Sequence, residues 1–204
     1  MLNNQEEPSQ IELNQDFWNT LWENKTTHWD IGYPSPAIVN FMSNYPNKNA
    51  SILIPGCGNA YEAEFLVKNG FTDITLIDIA PIAVNLLKEK FENYPQIKII
   101  CGDYFEHNKK YDLQIEQTFF CALDPKKRNY YVKHSASILK HNGSIIGLMF
   151  NKDFGNSFPP FGGNSEEYLE LFTPYFEIHT LEKCSNSIPP RIDTELFVHF
   201  IKKT

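Results

Sequence analysis

The sequence predicts an α/β fold: a mostly parallel, seven-stranded sheet with helices on both faces, an antiparallel hairpin at one edge and an N-terminal helical lid. Three observations predict it. From residue 51 onward, short apolar runs alternate with helix-length segments, which implies right-handed crossovers and parallel strands. The first run ends in the glycine turn "PGCG", directly ahead of a helical pattern. The last two runs are joined only by "CSNSIPPRID", with no helix-length segment between them, so they pair antiparallel.

Taken in order, residues 1–10 are polar and acidic and read as disordered, with no signal-peptide character. Residues 12–25 read as a helix, with Leu13, Phe17 and Leu21 on one period and Trp18 and Trp22 on another. "HWDIGYPSP" carries a glycine and two prolines and reads as an irregular loop, followed by a short helix over Ala37–Met42. Strands are expected at Ile52–Ile54, Ile74–Asp78, Ile97–Cys101, Leu113–Phe119, Ser144–Phe150, Phe176–Lys183 and Leu196–Lys202. Helices are expected at 60–69, 80–92, 125–141 and 164–172. The whole chain, 1–204, reads as one domain, with 1–45 as the lid segment.

Composition narrows the function. The net charge of −7 and the lack of any Lys/Arg run argue against nucleic acid. No apolar run approaches the roughly 18 residues that span a bilayer. Cys57, Cys101, Cys121 and Cys184 form no CxxC pair and read as reduced and mostly buried, as suits a cytoplasmic protein. His107, His134, His141, His179 and His199 have neither metal nor triad spacing and read as surface residues; His28 lies beside Trp29. No metal site is expected. The many aromatics, 16 Phe, 10 Tyr and 3 Trp, suit a core and also an aromatic-lined pocket.

The glycine turn points to a ligand. Gly56 and Gly58 permit backbone conformations closed to other residues and let a ligand approach the main chain. Asn59 and Glu62 have the spacing of a capping box for the next helix. Asp78, at the end of the second strand, suits the two hydroxyls of a ribose, and Asp103, after the third, suits the exocyclic amine of an adenine. A dinucleotide fold prefers a third glycine where this chain has Tyr61, which weakens a nicotinamide-dependent oxidoreductase reading.

Together the Trp trio in "FWNTLWENKTTHWD", "GYPSP", "LIPGCGNAYEAEFL", "LIDIAP", "GDYF", "FFCALDP", "GLMF", "FPPF" and "SIPPRIDTE" resemble class I S-adenosylmethionine-dependent methyltransferases of the thiopurine methyltransferase family. Within it, the chain is most similar to the branch that methylates thiols and halide ions. The resemblance implies a Rossmann-like fold, S-adenosylmethionine as cofactor and S-adenosylhomocysteine as product, with a small-molecule acceptor. It implies cofactor contacts from Trp18, Trp22, Trp29, Gly56, Gly58, Asp78, Asp103 and Tyr104, and from the position before "TFF". That position is Gln117, preceded by Glu116, where the family commonly has Arg or Tyr. The enzyme is expected to act as a monomer; the alternative of a cofactor-binding protein without this catalysis stays open.

Chemistry supports these assignments. A sulfonium is a soft cation, and indole faces attract such cations by about 0.5–2 kcal/mol. The Trp18/Trp22 pair is equally an ordinary core pair at helical spacing. A thiol has a free pKa of about 8.5 and a halide has no proton, so transfer to either needs no dedicated base, and no catalytic residue is assigned. Tyr33, Phe120, Phe161 and Arg191, with Phe158, are candidates for the acceptor pocket. Arg191 reads equally as an ion-pair partner of Asp193 or Glu195, and Arg128 as a partner of an acidic neighbour.

Overall fold

A computed structural model describes residues 12–204; the disorder expected at 1–10 lies outside them. Two helices come first, α1 (Gln15–Glu23) and α2 (Pro36–Ser43). The alternating part follows: β1 (Ser51–Pro55), α3 (Tyr61–Lys68), β2 (Asp73–Asp78), α4 (Pro81–Lys90), β3 (Ile97–Cys101), β4 (Tyr111–Gln117), α5 (Arg128–Ile138) and β5 (Leu139–Phe150). The chain closes with α6 (Ser165–Phe172), β6 (Phe176–Lys183) and β7 (Glu195–Lys202). The strands form one seven-stranded sheet in the order β3-β2-β1-β4-β5-β7-β6. β7 runs antiparallel to both β5 and β6, and the other pairings are parallel.

The period-two alternation of a strand sorts its side chains to two faces. Ile52 and Ile54 of β1 join one core with Ile74, Leu76, Leu113, Ile115 and Ile146, covered by α2, α3 and α4. Leu53 points the other way, with Ile77, Ile145, Met149, Val198 and Phe200, under Tyr131 of α5 and Phe172 of α6. With both faces buried, a central strand is near-continuously apolar: all five residues of β1 are buried, and its one polar side chain, Ser51, donates its hydroxyl to Asp112 Oδ2 at 2.8 Å. Each large apolar side chain so buried contributes about 1.5–3 kcal/mol. A surface pair such as Lys68–Glu64, at 2.6 Å, contributes at most about 1 kcal/mol. The two layers, and not the ion pairs, hold the sheet.

The expected elements are present, with displaced boundaries. The helix expected at 125–141 stops at Ile138, and Leu139 already pairs with Tyr111. Its polar continuation Lys140-His141-Asn142 is an exposed start of β5, with Asn142 at φ +57°, so nothing in the pattern marks it as strand. β4 ends at Gln117 and not at Phe119, because Thr118 turns to φ +60°. No capping box forms at α3. Ala60 is its N-cap at φ +50°, Asn59 Nδ2 donates to Asp30 Oδ2 at 2.6 Å, and Glu62 Oε1 accepts from Ser35 N at 2.9 Å. Both residues serve the N-terminal segment instead. Cys101 is exposed and Cys57 half-buried, so only Cys121 and Cys184 are buried as expected. His134 and His199 are half-buried against aromatic rings, not on the surface.

α1 docks at the start of α4, which has no capping side chain of its own. Asn19 supplies the cap from the other helix: its Oδ1 accepts from Ile82 N at 3.0 Å. Asn19→Ala is expected to cost about 1 kcal/mol. The urea midpoint followed by tryptophan fluorescence checks this, since all three indoles lie in the segment this bond fastens.

Candidate active site

In an open α/β sheet a crevice forms where neighbouring strands send their connections to opposite faces. Here that point lies between β1 and β4. Beyond the carboxyl ends of these strands is a narrow cleft, its walls including Trp29, Ile31, Tyr33, Gly56, Gly58 and Gln117.

The floor is the turn after β1. Gly56 and Gly58 take φ +54° and +50°, a region most side chains avoid. Gly56 N donates to Ile77 O at 2.8 Å, which keeps the turn in line with β2. A Cβ at Gly56 would run into the ring of Phe119. A Cβ at Gly58 would meet only Trp22 and Trp29, both at 3.8 Å.

Asp78 lies behind this floor, 9% exposed. Its Oδ2 accepts from Gly58 N at 3.1 Å and its Oδ1 from Ala80 N at 2.9 Å. Burial raises its pKa, and these amides partly offset that. Asp103, at the next strand end, is half-buried and accepts from Phe105 N at 2.9 Å. Neither carboxylate is part of the cleft wall; they extend the rim away from it toward β3.

The roof is the N-terminal segment. Trp18 and Trp29 meet edge to face with ring centroids 5.7 Å apart, and Trp22 and Trp29 at 6.1 Å. Trp29 forms part of the wall, with the other two indoles packed against it. Asp30 fastens the loop: Oδ1 accepts from Gly32 N, and Oδ2 accepts from Asn59 Nδ2 and from Tyr61 O–H, at 2.8, 2.6 and 3.2 Å. Arg191 ties the loop from the other side, donating to Trp29 O at 3.1 Å and to Glu195 Oε1 at 3.3 Å.

The far wall is the segment after β4. Gln117 Oε1 is buried and has no hydrogen-bond partner among the described residues. Glu116 is fully buried, and Phe119 N, Phe120 N and Tyr131 O–H donate to its carboxylate at 2.9, 2.8 and 2.6 Å.

The structure thus brings Trp29, Tyr33, Gly56, Gly58 and Gln117 to one cleft, with Trp18 and Trp22 behind Trp29. Other expected residues fall elsewhere. Tyr104 is 3% exposed, its hydroxyl donating to Gln114 Oε1 at 3.0 Å, so only its main chain is available at the rim. Phe120 is 2% exposed among Tyr131, Tyr168 and Phe172 and is a core residue, not a pocket wall. Phe161 borders a second, open cavity and donates its N–H to Cys121 O at 2.7 Å. Phe158 is exposed. Arg191 takes its ion-pair alternative with Glu195, and Arg128 pairs with Glu167 at 2.5 Å. Burial raises the pKa of Cys57, with Asp78 adding to it, and that of Cys121 to about 12 through burial and then Glu116, so neither is a thiolate nucleophile. Asp30, Phe119 and the role of Glu116 were not anticipated. The Asp-x-Gly pattern of "DIG", a turn in which Asp accepts from the Gly amide, was the available signal for Asp30.

Comparison with known proteins gives concordant results. The sequence pattern of the family described as "Thiopurine S-methyltransferase (TPMT)" matches residues 13–199. A probable thiol methyltransferase 2 of Arabidopsis thaliana is 31% identical over 180 residues, covering 85% of this chain and 79% of that protein. A thiopurine S-methyltransferase of Acinetobacter baylyi is 26% identical, covering 84% and 89%. Among solved structures, magnesium protoporphyrin IX methyltransferase from Synechocystis PCC 6803 with bound S-adenosylmethionine superposes with a TM-score of 0.75 at 13% identity, covering 97% of this chain and 100% of that one.

The two glycines make a contrast. Gly56→Ala adds a clash with Phe119 to the cost of a left-handed residue and is expected to destabilise by more than about 2 kcal/mol. Gly58→Ala carries the backbone cost alone, about 1 kcal/mol. Thermal denaturation of the two variants side by side checks this order.

Proposed function

The chain belongs to the thiopurine S-methyltransferase family, and from that premise we propose that it methylates a small soft nucleophile: a thiol, hydrosulfide, a halide or pseudohalide ion, or a thiopurine sulfur. It is an S-adenosylmethionine-dependent methyltransferase. The observation that carries the reading of the site is Gln117 Oε1, a buried acceptor without a partner, on the wall of the cleft floored by the glycine turn. An unmet buried acceptor costs about 1–3 kcal/mol, and the ammonium of a methionine moiety is a donor that would satisfy it. The residues present fit the cofactor.

When bound, S-adenosylmethionine supplies an electrophilic methyl group on a sulfonium. Asp78 and Asp103 would hold its ribose and adenine; the main chain of Gly58 and Tyr104 would allow its close approach, while Gly56 would shape the turn by giving its Cβ space to Phe119. Trp29, backed by Trp18 and Trp22, excludes water and favours a soft cation by about 0.5–2 kcal/mol. At the acceptor end, Ile31 and Tyr33 offer apolar surface that strips water from an incoming anion and so raises its reactivity. The two carboxylates of the cleft wall are already engaged, Asp30 by three donors and Glu62 by Ser35 N. Among the described residues no histidine lines the cleft. The site therefore suits acceptors that are nucleophilic without a base.

The third-glycine position of a dinucleotide fingerprint is taken by Tyr61, whose hydroxyl serves the lid loop, which favours the methyltransferase over the oxidoreductase reading. The proposal extends to a monomer acting in the cytoplasm on small molecules, not on nucleic acid or membranes; the net charge of −7 supports the exclusion of nucleic acid. Among the described residues no helix is long and apolar enough to cross a membrane.

A screen with hydrosulfide, iodide, thiocyanate and 6-mercaptopurine is expected to yield methylated product and S-adenosylhomocysteine with at least one acceptor. Binding of S-adenosylmethionine without methylation of any of the four would count against the acceptor class. Asp78→Ala is expected to weaken S-adenosylhomocysteine binding by about 1–3 kcal/mol. An unchanged titration isotherm in the folded variant would remove Asp78 from the site.

A further inference from the structure

A carboxylate with no exposed atom stands at the end of β4, one residue before the amide that faces the cleft. Glu116 is 0% exposed. Its Oε1 accepts from the successive amides of Phe119 and Phe120, at 2.9 and 2.8 Å, which bends the chain back immediately after the strand. Its Oε2 accepts from Tyr131 O–H at 2.6 Å, and Tyr131 in turn accepts from Gln114 Nε2 at 2.8 Å. The bend presents Gln117 and Thr118 to the cleft and stands the ring of Phe119 against Gly56. A buried carboxylate costs several kcal/mol unless its lone pairs are met. Here three donors meet them, and all three positions bear on this one segment or on the helix behind it.

We infer that Glu116 is a positioning residue for methyl transfer, its ionised carboxylate holding Gln117–Cys121 in the shape that closes the cleft against the glycine turn. The inference rests on the methyltransferase reading. Protonation disturbs the arrangement: a carboxyl proton on Oε2 would face the Tyr131 hydroxyl, whose own proton would lose its acceptor while its oxygen already accepts from Gln114. The titratable groups that face the carboxylate are Tyr131 of α5, Tyr104 after β3, Cys121 of its own segment and Tyr168 of α6; Arg128 of α5 and Arg191 before β7 act on the neighbouring Cys121. The two arginines are committed to Glu167 and Glu195, and among the described residues no Lys, Arg or His donates to Glu116. Burial raises its pKa to about 7, against the opposing effect of Tyr131 and the two amides, so both forms populate near neutrality.

The test uses iodide as acceptor, which has no proton to lose, so that any pH dependence belongs to the enzyme. The saturated rate is expected to rise with pH through a midpoint near 7. In Glu116→Gln it is expected to be about tenfold lower and flat with pH; Glu116→Asp, which keeps the charge, is expected to retain the slope. Tyr131→Phe removes one donor from the carboxylate and is expected to move the midpoint upward by about one pH unit. S-adenosylhomocysteine affinity, titrated at pH 6 and pH 8, gives an acceptor-independent readout that is expected to increase with pH in the parent and not in Glu116→Gln. A parental protein that binds no S-adenosylhomocysteine would overturn the methyltransferase reading itself. A folded Glu116→Gln with the parental pH dependence in both readouts would overturn the role of Glu116. Should that variant not fold, an unmoved midpoint in Tyr131→Phe would do the same.

Discussion

The approach of Phe119 to Gly56 is the contact on which the site depends. β1 and β4 are neighbours in the sheet, but their connections leave toward opposite faces, so the turns after them would diverge. At Gly56 the missing Cβ is the space the Phe119 ring occupies. That fit sets the separation of the floor and the far wall, and it needs both partners in unusual backbone: Gly56 at φ +54°, and Thr118 at φ +60° two residues after Glu116. Strain of this kind persists only where surrounding bonds outweigh it. On one side those bonds are Gly56 N to Ile77 O and Gly58 N to Asp78, and on the other the two amides that donate to Glu116.

The chain ahead of α2 is held to this platform by polar groups more than by apolar burial, whereas α2 itself gives Ile38 and Met42 to the core. No residue of α1 is fully buried. What secures the segment is Asn19 on the start of α4, Asp30 on Asn59 and Tyr61, Glu62 on Ser35, and Arg191 on Trp29. Individual bonds of this kind contribute about 0.5–1.5 kcal/mol net, more where a charge takes part. A roof fastened this way can detach at modest cost while the sheet, held by two apolar layers, stays intact. That division suits an enzyme whose small reactants must enter and whose chemistry requires a dry site.

Much of the fold was legible because burial on both faces forces near-continuous apolar strands, and most of the segments between them are of helix length. Strand number, the edge hairpin and the glycine turn all follow from that pattern. Boundaries were less legible where a polar stretch takes up strand geometry, as at Lys140–Asn142, or where a turn lies within an apolar run, as at Thr118–Phe120. In the second case "QTFFCAL" reads as strand until the buried carboxylate three residues before Phe119 is known to claim its amide.

For the site, the sequence by itself determined the chemistry on offer: glycines at a strand end, carboxylates at the next two, and indoles and tyrosines upstream. Residue type and local spacing carry that information. Only the tertiary structure decided which of these groups face the cleft. It turned Tyr104 and Phe120 into the core, committed Arg191 to Glu195 and the lid, and gave Asn59 and Glu62 to the N-terminal loop instead of to their own helix. The physical reason is competition among long-range partners. A carboxylate or guanidinium bonds the donors and acceptors that packing brings within about 3 Å, and those partners lie up to 162 residues away along the chain.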